Sequence, residues 1–113
     1  MQEEAELLKV LGEPTRLRLA TLLAVKGETC VCYLAEAMGE ADFKISRHLG
    51  VLKAAGIVEV RREGTWMHYR LAKPKGVLAE SLQRCLRECL GNHPTVKHDL
   101  KRLTKVCCPA TKG

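Results

Sequence analysis

The sequence has few aromatic residues and no long apolar run. Phe, Trp and Tyr make up only 4% of its 113 residues, so the core must be built from aliphatic side chains, which favours packed helices over a β-sandwich. No apolar run is long enough to span a membrane, and the acidic start lacks the apolar segment of a signal peptide. We therefore expect a cytoplasmic protein with no membrane partner.

Zinc-finger spacing and enzyme motifs are also missing. The six cysteines are not spaced like the ligands of a zinc finger. No CxxC redox motif is present, and no loop that would cradle a phosphate or oxyanion lies near a cysteine, so a thiol enzyme such as an arsenate reductase is disfavoured. We expect no enzymatic activity. In a cytoplasmic protein the cysteines should be thiols that act as ligands or redox groups.

Basic residues are concentrated in one part of the chain. The net charge is +6, yet residues 1–13 are mainly acidic. The excess of positive charge lies in the range 42–73. Its cations are Lys44, Arg47, Lys53, Arg61, Arg62, Arg70 and Lys73. A basic segment of this kind indicates a polyanionic partner such as DNA.

Apolar residues recur at helical spacing over most of the chain. This period predicts helices over 3–11, 14–25, 31–38, 42–55, 77–90 and 95–106. Pro14 suits the first position of the second helix, and Asp42 is predicted to cap the fourth. The third and fourth helices, joined by a tight turn at Gly39-Glu40, are predicted to form a helix-turn-helix over 31–55.

The apolar period changes to two after Gly56. Residues 57–72 alternate between apolar and polar, and Glu63-Gly64 supplies a turn, which predicts a β-hairpin. A hairpin directly after a helix-turn-helix is a wing. We therefore predict a mainly α fold with one β-hairpin, a winged helix-turn-helix formed by a single domain over 1–106. A flexible, cysteine-containing tail is predicted over 107–113.

The fourth helix and the wing supply the candidate DNA-binding residues. These are Lys44, Ser46, Arg47 and His48 on the helix, and Arg61 and Arg62 near the predicted wing tip. Arginine can bind guanine through two hydrogen bonds, whereas lysine and serine mostly hold the phosphate backbone. The alternative for each of these residues is an ordinary solvated surface group.

Leucines on the first and fifth helices, 3–11 and 77–90, are candidates for a dimer interface. They are Leu7, Leu8, Leu11, Leu78, Leu82 and Leu86. The alternative is that they fill the core of one protomer. A homodimer with two-fold symmetry would bind an inverted repeat in double-stranded operator DNA, with half-sites spaced by the helical repeat.

Cys30 and Cys32 open the predicted third helix. Free backbone N–H groups and the dipole at a helix start favour thiolates, which bind soft ions. On a regular helix, residues i and i+2 point roughly 200° apart. We therefore expect one ion to hold both thiolates only if the helix start unwinds. That distortion would shift the supported fourth helix and weaken DNA binding, and linkage requires DNA to weaken ion binding equally.

Three segments resemble the ArsR/SmtB family of winged-helix transcription factors. They are ETCVCYL at 28–34, KISRHL at 44–49 with Leu52-Lys53 and Gly56 after it, and REGTWMHYRL at 62–71. The resemblance covers residues from about 5 to 72. It implies a dimeric repressor of metal- or metalloid-resistance genes that leaves its operator when an ion binds. It also implies that the fourth helix enters the major groove.

The resemblance also directs the choice of ion. In the arsenite form of the motif, a third cysteine follows the second by three residues, where this sequence has Ala35. Cys107 or Cys108, from the same or the partner chain, is therefore the predicted third donor, with a small thiol from solvent as the alternative. The predicted inducer is As(III) or Sb(III), because relatives that sense cadmium and lead add cysteines from an N-terminal arm and this chain begins at its first helix.

Several alternatives stay open at this point. A cadmium-, lead- or zinc-responsive repressor is one; a zinc site would use Glu80, Glu88, His93 and His98. A thiol-redox sensor is another, although two cysteines at i and i+2 of a helix pair poorly in a disulfide. Cys85 and Cys89 lie one helical turn apart on one face, and we expect them to pack as small apolar side chains at an interface.

Overall fold

The computed structural model describes residues 1–106 as six α-helices and one antiparallel sheet. The helices are α1 (Gln2–Leu11), α2 (Pro14–Lys26), α3 (Val31–Met38), α4 (Asp42–Ala54), α5 (Val77–Glu88) and α6 (Pro94–Val106). The strands are β1 (Thr29–Cys30), β2 (Val58–Glu63) and β3 (Trp66–Leu71), and a 3-10 turn, Leu90–Asn92, joins α5 to α6. None of the described helices has the length and apolar character needed to cross a membrane.

Local capping sets where the helices of the helix-turn-helix begin and end. The carboxylate of Glu13 accepts a hydrogen bond of 2.8 Å from the backbone N–H of Arg16 at the start of α2. α3 ends at Gly39, whose φ of 66° allows the chain to turn tightly into α4. The prediction that Asp42 caps α4 is wrong. Ala41 precedes the helix without a side-chain cap, and Asp42 is the first helical residue.

The core lies where α2, α3 and α4 meet beneath the sheet. Its fully buried side chains include Leu19, Leu22, Leu34, Ile45, Leu49 and Leu52. α6 packs against α3 and α2, and the guanidinium of Arg18 binds the buried carboxylate of Asp99 through bonds of 2.9 and 3.0 Å. Arg102 donates to the carbonyl of Glu36 at 3.0 Å. α3 is therefore held between α4 and α6.

A short third strand joins the start of α3 to the wing. The strand order is β1-β3-β2, and β1 pairs antiparallel with β3, so that Thr29 lies opposite Tyr69 and Cys30 opposite His68. β2 and β3 form the predicted hairpin, in which Glu63 lies opposite Trp66. The sequence analysis missed β1, because two residues are too few to show a period of two.

Candidate DNA-binding surface and thiol site

α4 presents a basic face to solvent. Its apolar side, with Ile45 and Leu49, is fully buried, so the opposite side is exposed. Lys44, Ser46 and Arg47 are all exposed there. The guanidinium carbon of Arg47 lies 5.7 Å from the centre of the Phe43 ring. Phe43 itself is 65% exposed on this face.

His48 lies apart from the other predicted DNA-binding residues of α4. Its side chain is only 23% exposed, and Nδ1 lies 3.9 Å from a carboxylate oxygen of Glu13 at the start of α2. The structure therefore brings Lys44 and Arg47 to one surface but turns His48 toward the helical body. The assignment of His48 to DNA binding stays a prediction.

The two wing arginines have different surroundings. Arg61 donates to the carboxylate of Glu28 at 2.9 Å and to that of Glu63 at 3.3 Å. Arg62 lies beside the hairpin turn, where Nε donates to the carbonyl of Gly64 at 3.2 Å. Arg61 is thus matched by carboxylates, and a DNA phosphate would have to compete with them.

Glu28 is the centre of an ion-pair cluster on the outer face of the sheet. It accepts from Arg61 of β2 and, at 3.3 Å, from Arg70 of β3, and these guanidinium groups hold the pKa of its carboxyl below the usual value. Arg70 also binds Glu59 at 2.8 Å. We call Glu28, Glu59, Arg61 and Arg70 the wing cluster. It links the residues before β1 to both strands of the wing.

The thiols of Cys30 and Cys32 are already together. Cys30 is the last residue of β1 and adopts an extended backbone, with φ of −74° and ψ of 144°, while Cys32 lies in the first turn of α3. Their sulfur atoms are 3.0 Å apart. The prediction that one ion can reach both thiols only if the helix unwinds is wrong, because it placed both residues inside the helix.

The Cys32 thiol is held in its protonated form at neutral pH. Burial, the neighbouring Cys30 thiol and the carboxylate of Asp42 together raise the pKa of Cys32 to about 12. Cys30 is only 2% exposed. The expectation that the helix start favours thiolate here is wrong, because removal from water and a nearby negative charge outweigh the helix dipole.

The thiol site is joined to both DNA-facing elements. Cys30 lies opposite His68 of β3, and Glu28, two residues before it, belongs to the wing cluster. The ring of Tyr33 in α3 packs against Trp66 of the wing, with 5.9 Å between centroids. The influence of Asp42 on Cys32 places the first turn of α4 close by. Sequence reasoning missed these links because they depend on β1.

Residues 1–106 contain no group of three His, Cys, Asp or Glu side chains positioned to hold a metal ion. The predicted zinc ligands, which are Glu80, Glu88, His93 and His98, therefore do not form such a group, and neither do Cys30 and Cys32. Cys85 and Cys89 are both exposed free thiols. Cys107 and Cys108, the predicted third donors, lie outside the residues that the structure describes.

An apolar groove separates α1 from α5. It contains five of the six predicted interface leucines, namely Leu7, Leu11, Leu78, Leu82 and Leu86. Leu11 and Leu86 are buried in the protomer core, whereas Leu8 on α1 is 50% exposed and Leu78 on α5 is 37% exposed. Part of the set therefore fills the core, and the exposed part is available to another chain.

Comparison with known proteins identifies the family. Residues 13–60 match the bacterial regulatory proteins of the ArsR family. An uncharacterized HTH-type transcriptional regulator of Methanocaldococcus jannaschii is 46% identical over 68 residues, which is 60% of this chain and 76% of that protein. The chain belongs to the ArsR family of transcriptional regulators. Members of this family are DNA-binding repressors, as the resemblance implied.

Two named relatives of this ArsR-family chain differ in the ion that their names mention. The arsenical resistance operon repressor of Escherichia coli is 45% identical over 67 residues, covering 59% of this chain and 57% of that protein. A cadmium resistance transcriptional regulatory protein of Staphylococcus aureus, a CadC homologue, is 37% identical over 67 residues. The match covers 59% of this chain and 55% of that protein. The matched region thus spans little more than half of each relative.

A solved structure confirms the predicted fold class. The homodimeric winged helix-turn-helix DNA-binding domain of Mb0332 from Mycobacterium bovis, described as a possible ArsR-family transcriptional regulator and determined by NMR, superposes with a TM-score of 0.63. It is 36% identical, and the match covers 75% of this chain and 72% of that one. The prediction of a winged helix-turn-helix is therefore correct, with β1 as an addition to the predicted hairpin.

Proposed function

We propose that this ArsR-family protein is an arsenite- or antimonite-responsive repressor. It binds operator DNA as a homodimer and leaves the operator when As(III) or Sb(III) bonds to Cys30 and Cys32. The observation that carries the proposal is the pair of thiols, 3.0 Å apart, at the junction of β1 and α3. This pair lies between the wing and the helix that supports α4.

The raised pKa of Cys32 favours a metalloid over a divalent cation. Cadmium and zinc bind thiolates, so the Cys32 thiol must release its proton to them, which its pKa of about 12 opposes at neutral pH. Arsenous acid is uncharged and carries hydroxyl groups. Each sulfur–arsenic bond replaces an arsenic–oxygen bond, and the thiol proton leaves with the hydroxyl as water. No net proton release or redox change is required.

DNA recognition is assigned mainly to α4. Lys44, Ser46 and Arg47 are exposed on one side of the helix, where the major groove would be, and Arg62 lies beside the wing turn. Arg61 would contact DNA only by leaving Glu28, His48 only by turning from Glu13, and Lys44 only by leaving Glu40, which lies 3.2 Å from its ammonium. We therefore rank Arg47 above these three residues as a contact.

Homodimer formation is assigned to α1 and α5. Leu8 and Leu78 are exposed, and Leu78 lines the groove between these helices together with Glu3 and Glu4 of α1 and with Lys73 and Lys75 of the segment before α5. Two copies related by a two-fold axis can bring the acidic side of one groove to the basic side of the other. Such a dimer would read an inverted repeat.

The coupling between inducer and DNA is assigned to small movements of β1 and α3. Two sulfurs bonded to one centre through bonds of about 2.3 Å lie roughly 3.4–3.8 Å apart, so the present 3.0 Å must open. Cys30 would carry β1 and the wing cluster with it, and Cys32 would carry the start of α3 toward or away from Asp42. Both DNA-facing elements would then shift relative to each other.

The third donor is assigned to Cys107 or Cys108. Arg102, five residues before Cys107, binds the carbonyl of Glu36, which is four residues after Cys32 in α3. Glu36 lies about one helical turn after Cys32, so the contact of Arg102 brings the last turns of α6 near the helix that carries Cys32. A thiol from solvent is the alternative third donor.

A labelled operator fragment titrated with arsenite tests the proposal. The wild-type protein should bind the fragment in fluorescence anisotropy and release it as arsenite is added. Linkage requires arsenite to bind the free protein more tightly than the operator complex by the same factor. A ternary complex of undiminished operator affinity would contradict the proposal.

A thiol-redox sensor is a second candidate function, and the same geometry favours it. Two thiols 3.0 Å apart need to move only about 1 Å closer to form a disulfide bond of about 2.05 Å. Hydrogen peroxide would take both thiol hydrogens and leave as two molecules of water. Release of the operator by peroxide, with no effect of arsenite, would select this function instead.

A further inference from the structure

The exposed surface of α6 carries charge of one sign. Lys97, Lys101 and Lys105 follow one another at intervals of four residues, and all three are exposed. Residues at this spacing lie on one side of a helix, so we call the three lysines the α6 stripe. The one carboxylate of the helix, Asp99, is 2% exposed and already bound to Arg18. The stripe is therefore not neutralised from within its own helix.

The α6 stripe also lacks the carboxylate partners that the wing arginines have. None of the three lysines forms an ion pair with an acidic side chain of residues 1–106, whereas Arg61 and Arg70 both bind Glu28. Like charges four residues apart destabilise a helix. A row of unmatched cations therefore costs α6 stability, and a bound polyanion would remove that cost.

The helix dipole accounts for only one end of this row. A cation stabilises the last turn of a helix, and an anion stabilises the first turn. Lys105 lies in the last turn of α6 and fits this rule. The first turn has no acidic residue, and Lys97 lies at that end of the helix. Helix stability alone therefore does not explain the α6 stripe.

α6 lies beside the first helix of the helix-turn-helix. It packs against α3, and Arg102 donates to the carbonyl of Glu36 at 3.0 Å, close to the turn at Gly39. In a helix-turn-helix the second helix enters the major groove while the first crosses the DNA backbone. α6 therefore flanks the helix that crosses the phosphates, and the ion pair between Arg18 and Asp99 holds it there.

We propose that the α6 stripe binds backbone phosphates of the operator, beside the groove that α4 enters. Lysine side chains suit phosphates, and such contacts set affinity and register without reading bases. The proposal rests on the operator binding proposed above, but it involves neither arsenite nor either pair of cysteines. It adds a third DNA-contacting element to α4 and the wing.

The salt dependence of operator binding tests this surface. The full-length variant Lys101→Gln/Lys105→Gln is compared with the wild type by fluorescence anisotropy without arsenite. The probe is a labelled duplex that carries the inverted repeat which the wild type selects from random-sequence DNA. Each phosphate contact that is lost should make the slope of log affinity against log salt shallower by about 0.9. Lys101→Arg/Lys105→Arg, which keeps the charge, should retain the wild-type slope.

The matched control for net charge is Arg84→Gln/Arg87→Gln, which removes two exposed cations from α5 and should keep the wild-type slope. All measurements use protein concentrations at which ultracentrifugation shows each variant to be dimeric. An unchanged slope in the α6 variant, or an equal change in the α5 control, overturns the proposal. A wild type that binds the operator but ignores arsenite would instead overturn the inducer proposal, so the two fail separately.

Discussion

The two cysteine pairs of the described chain share a chemistry but differ in what surrounds them. Cys30 and Cys32, the inner pair, lie where a sheet strand meets a helix, and Cys30 is 2% exposed. Cys85 and Cys89, the outer pair, lie exposed on one turn of α5. Burial is the main cause of the raised pKa of Cys32, whereas the partner thiol is the main cause at Cys89.

This difference shows that position decides whether a bound ligand can regulate. A ligand on the inner pair must move β1 or α3, and both are packed against elements that face DNA. The outer pair lies on α5, which packs mainly against α2 and the 3-10 turn rather than against α4 or the wing. A ligand there has no direct path to the elements that face DNA.

Removal of each pair in turn should give the largest difference. In Cys30→Ser/Cys32→Ser, arsenite should no longer weaken operator binding, so a coupling of about a hundredfold, near the upper end for allosteric sites, disappears. Operator affinity without arsenite should stay within about twofold of the wild type. Fluorescence anisotropy measures both.

The matched control for this experiment is Cys85→Ser/Cys89→Ser, which should release the operator like the wild type. An inner-pair variant that still dissociates with arsenite would place the sensor elsewhere. An outer-pair variant that fails to dissociate would remove the distinction between the two pairs.

The raised pKa of Cys32 should separate cadmium from arsenite by pH. A protein that keeps only Cys30 and Cys32, with the other four cysteines changed to serine, is titrated at pH 7 and pH 8. Because the pKa of Cys32 is about 12, cadmium must displace the proton of this thiol, and its affinity should rise by about tenfold over this unit for that proton.

Arsenite affinity should change by less than about twofold over the same pH unit, since its hydroxyl groups take up the thiol protons. Ultraviolet absorption of the sulfur–ligand bonds follows both titrations. His68 lies opposite Cys30, and the Asp42 carboxylate contributes to the raised pKa of Cys32. A parallel rise in arsenite affinity would contradict this account.

Loss of a DNA-contacting residue of α4 should weaken operator binding without changing ligand binding by either pair of cysteines. Arg47→Ala should reduce operator affinity by about tenfold, within the 1–3 kcal/mol expected for a base contact, both with and without arsenite. Arg87→Ala, which removes an exposed cation from α5, is the control at the same salt concentration. An equal loss in both variants would point to general electrostatic attraction instead.

Removal of the ion pairs that join the residues before Cys30 to the wing should have the smallest effect on operator binding. Glu28→Gln removes the carboxylate that binds Arg61 and Arg70, so the arsenite-induced loss of operator affinity should shrink about threefold, as expected for exposed ion pairs. Arsenite affinity of the free protein should not change. Glu59→Gln, which loses only a bond to Arg70, is the control, and an equal effect there would exclude a special role for Glu28.

The elements of the fold were predictable because their signals are local. The period of the leucines predicted α1 to α6 within one or two residues at nearly every end, and the alternation after Gly56 predicted the hairpin. The capping residue of α4 was not predicted correctly, because Ala41 rather than Asp42 takes the position before the helix. A shift of one residue in the start of a helix changes which residue caps it, and no local signal fixes that start here.

The candidate site was only half predictable. Cys30 and Cys32, Lys44 and Arg47 stand out by residue type and spacing alone. The separation of the two thiols, the protonation of Cys32 and the tie to the wing were not predicted, because each requires β1. That strand has only two residues, and it exists because Thr29 and Cys30 meet Tyr69 and His68 from across the chain.

The sequence by itself determined the helices, the hairpin, the basic side of α4 and the resemblance to the ArsR family. All of these depend on patterns among residues that are close together in the chain. Only the tertiary structure decided which thiols are buried, which remain exposed and which carboxylates hold the wing arginines. Burial and charge pairing depend on residues that are distant in the chain, and those meet only when the core has packed.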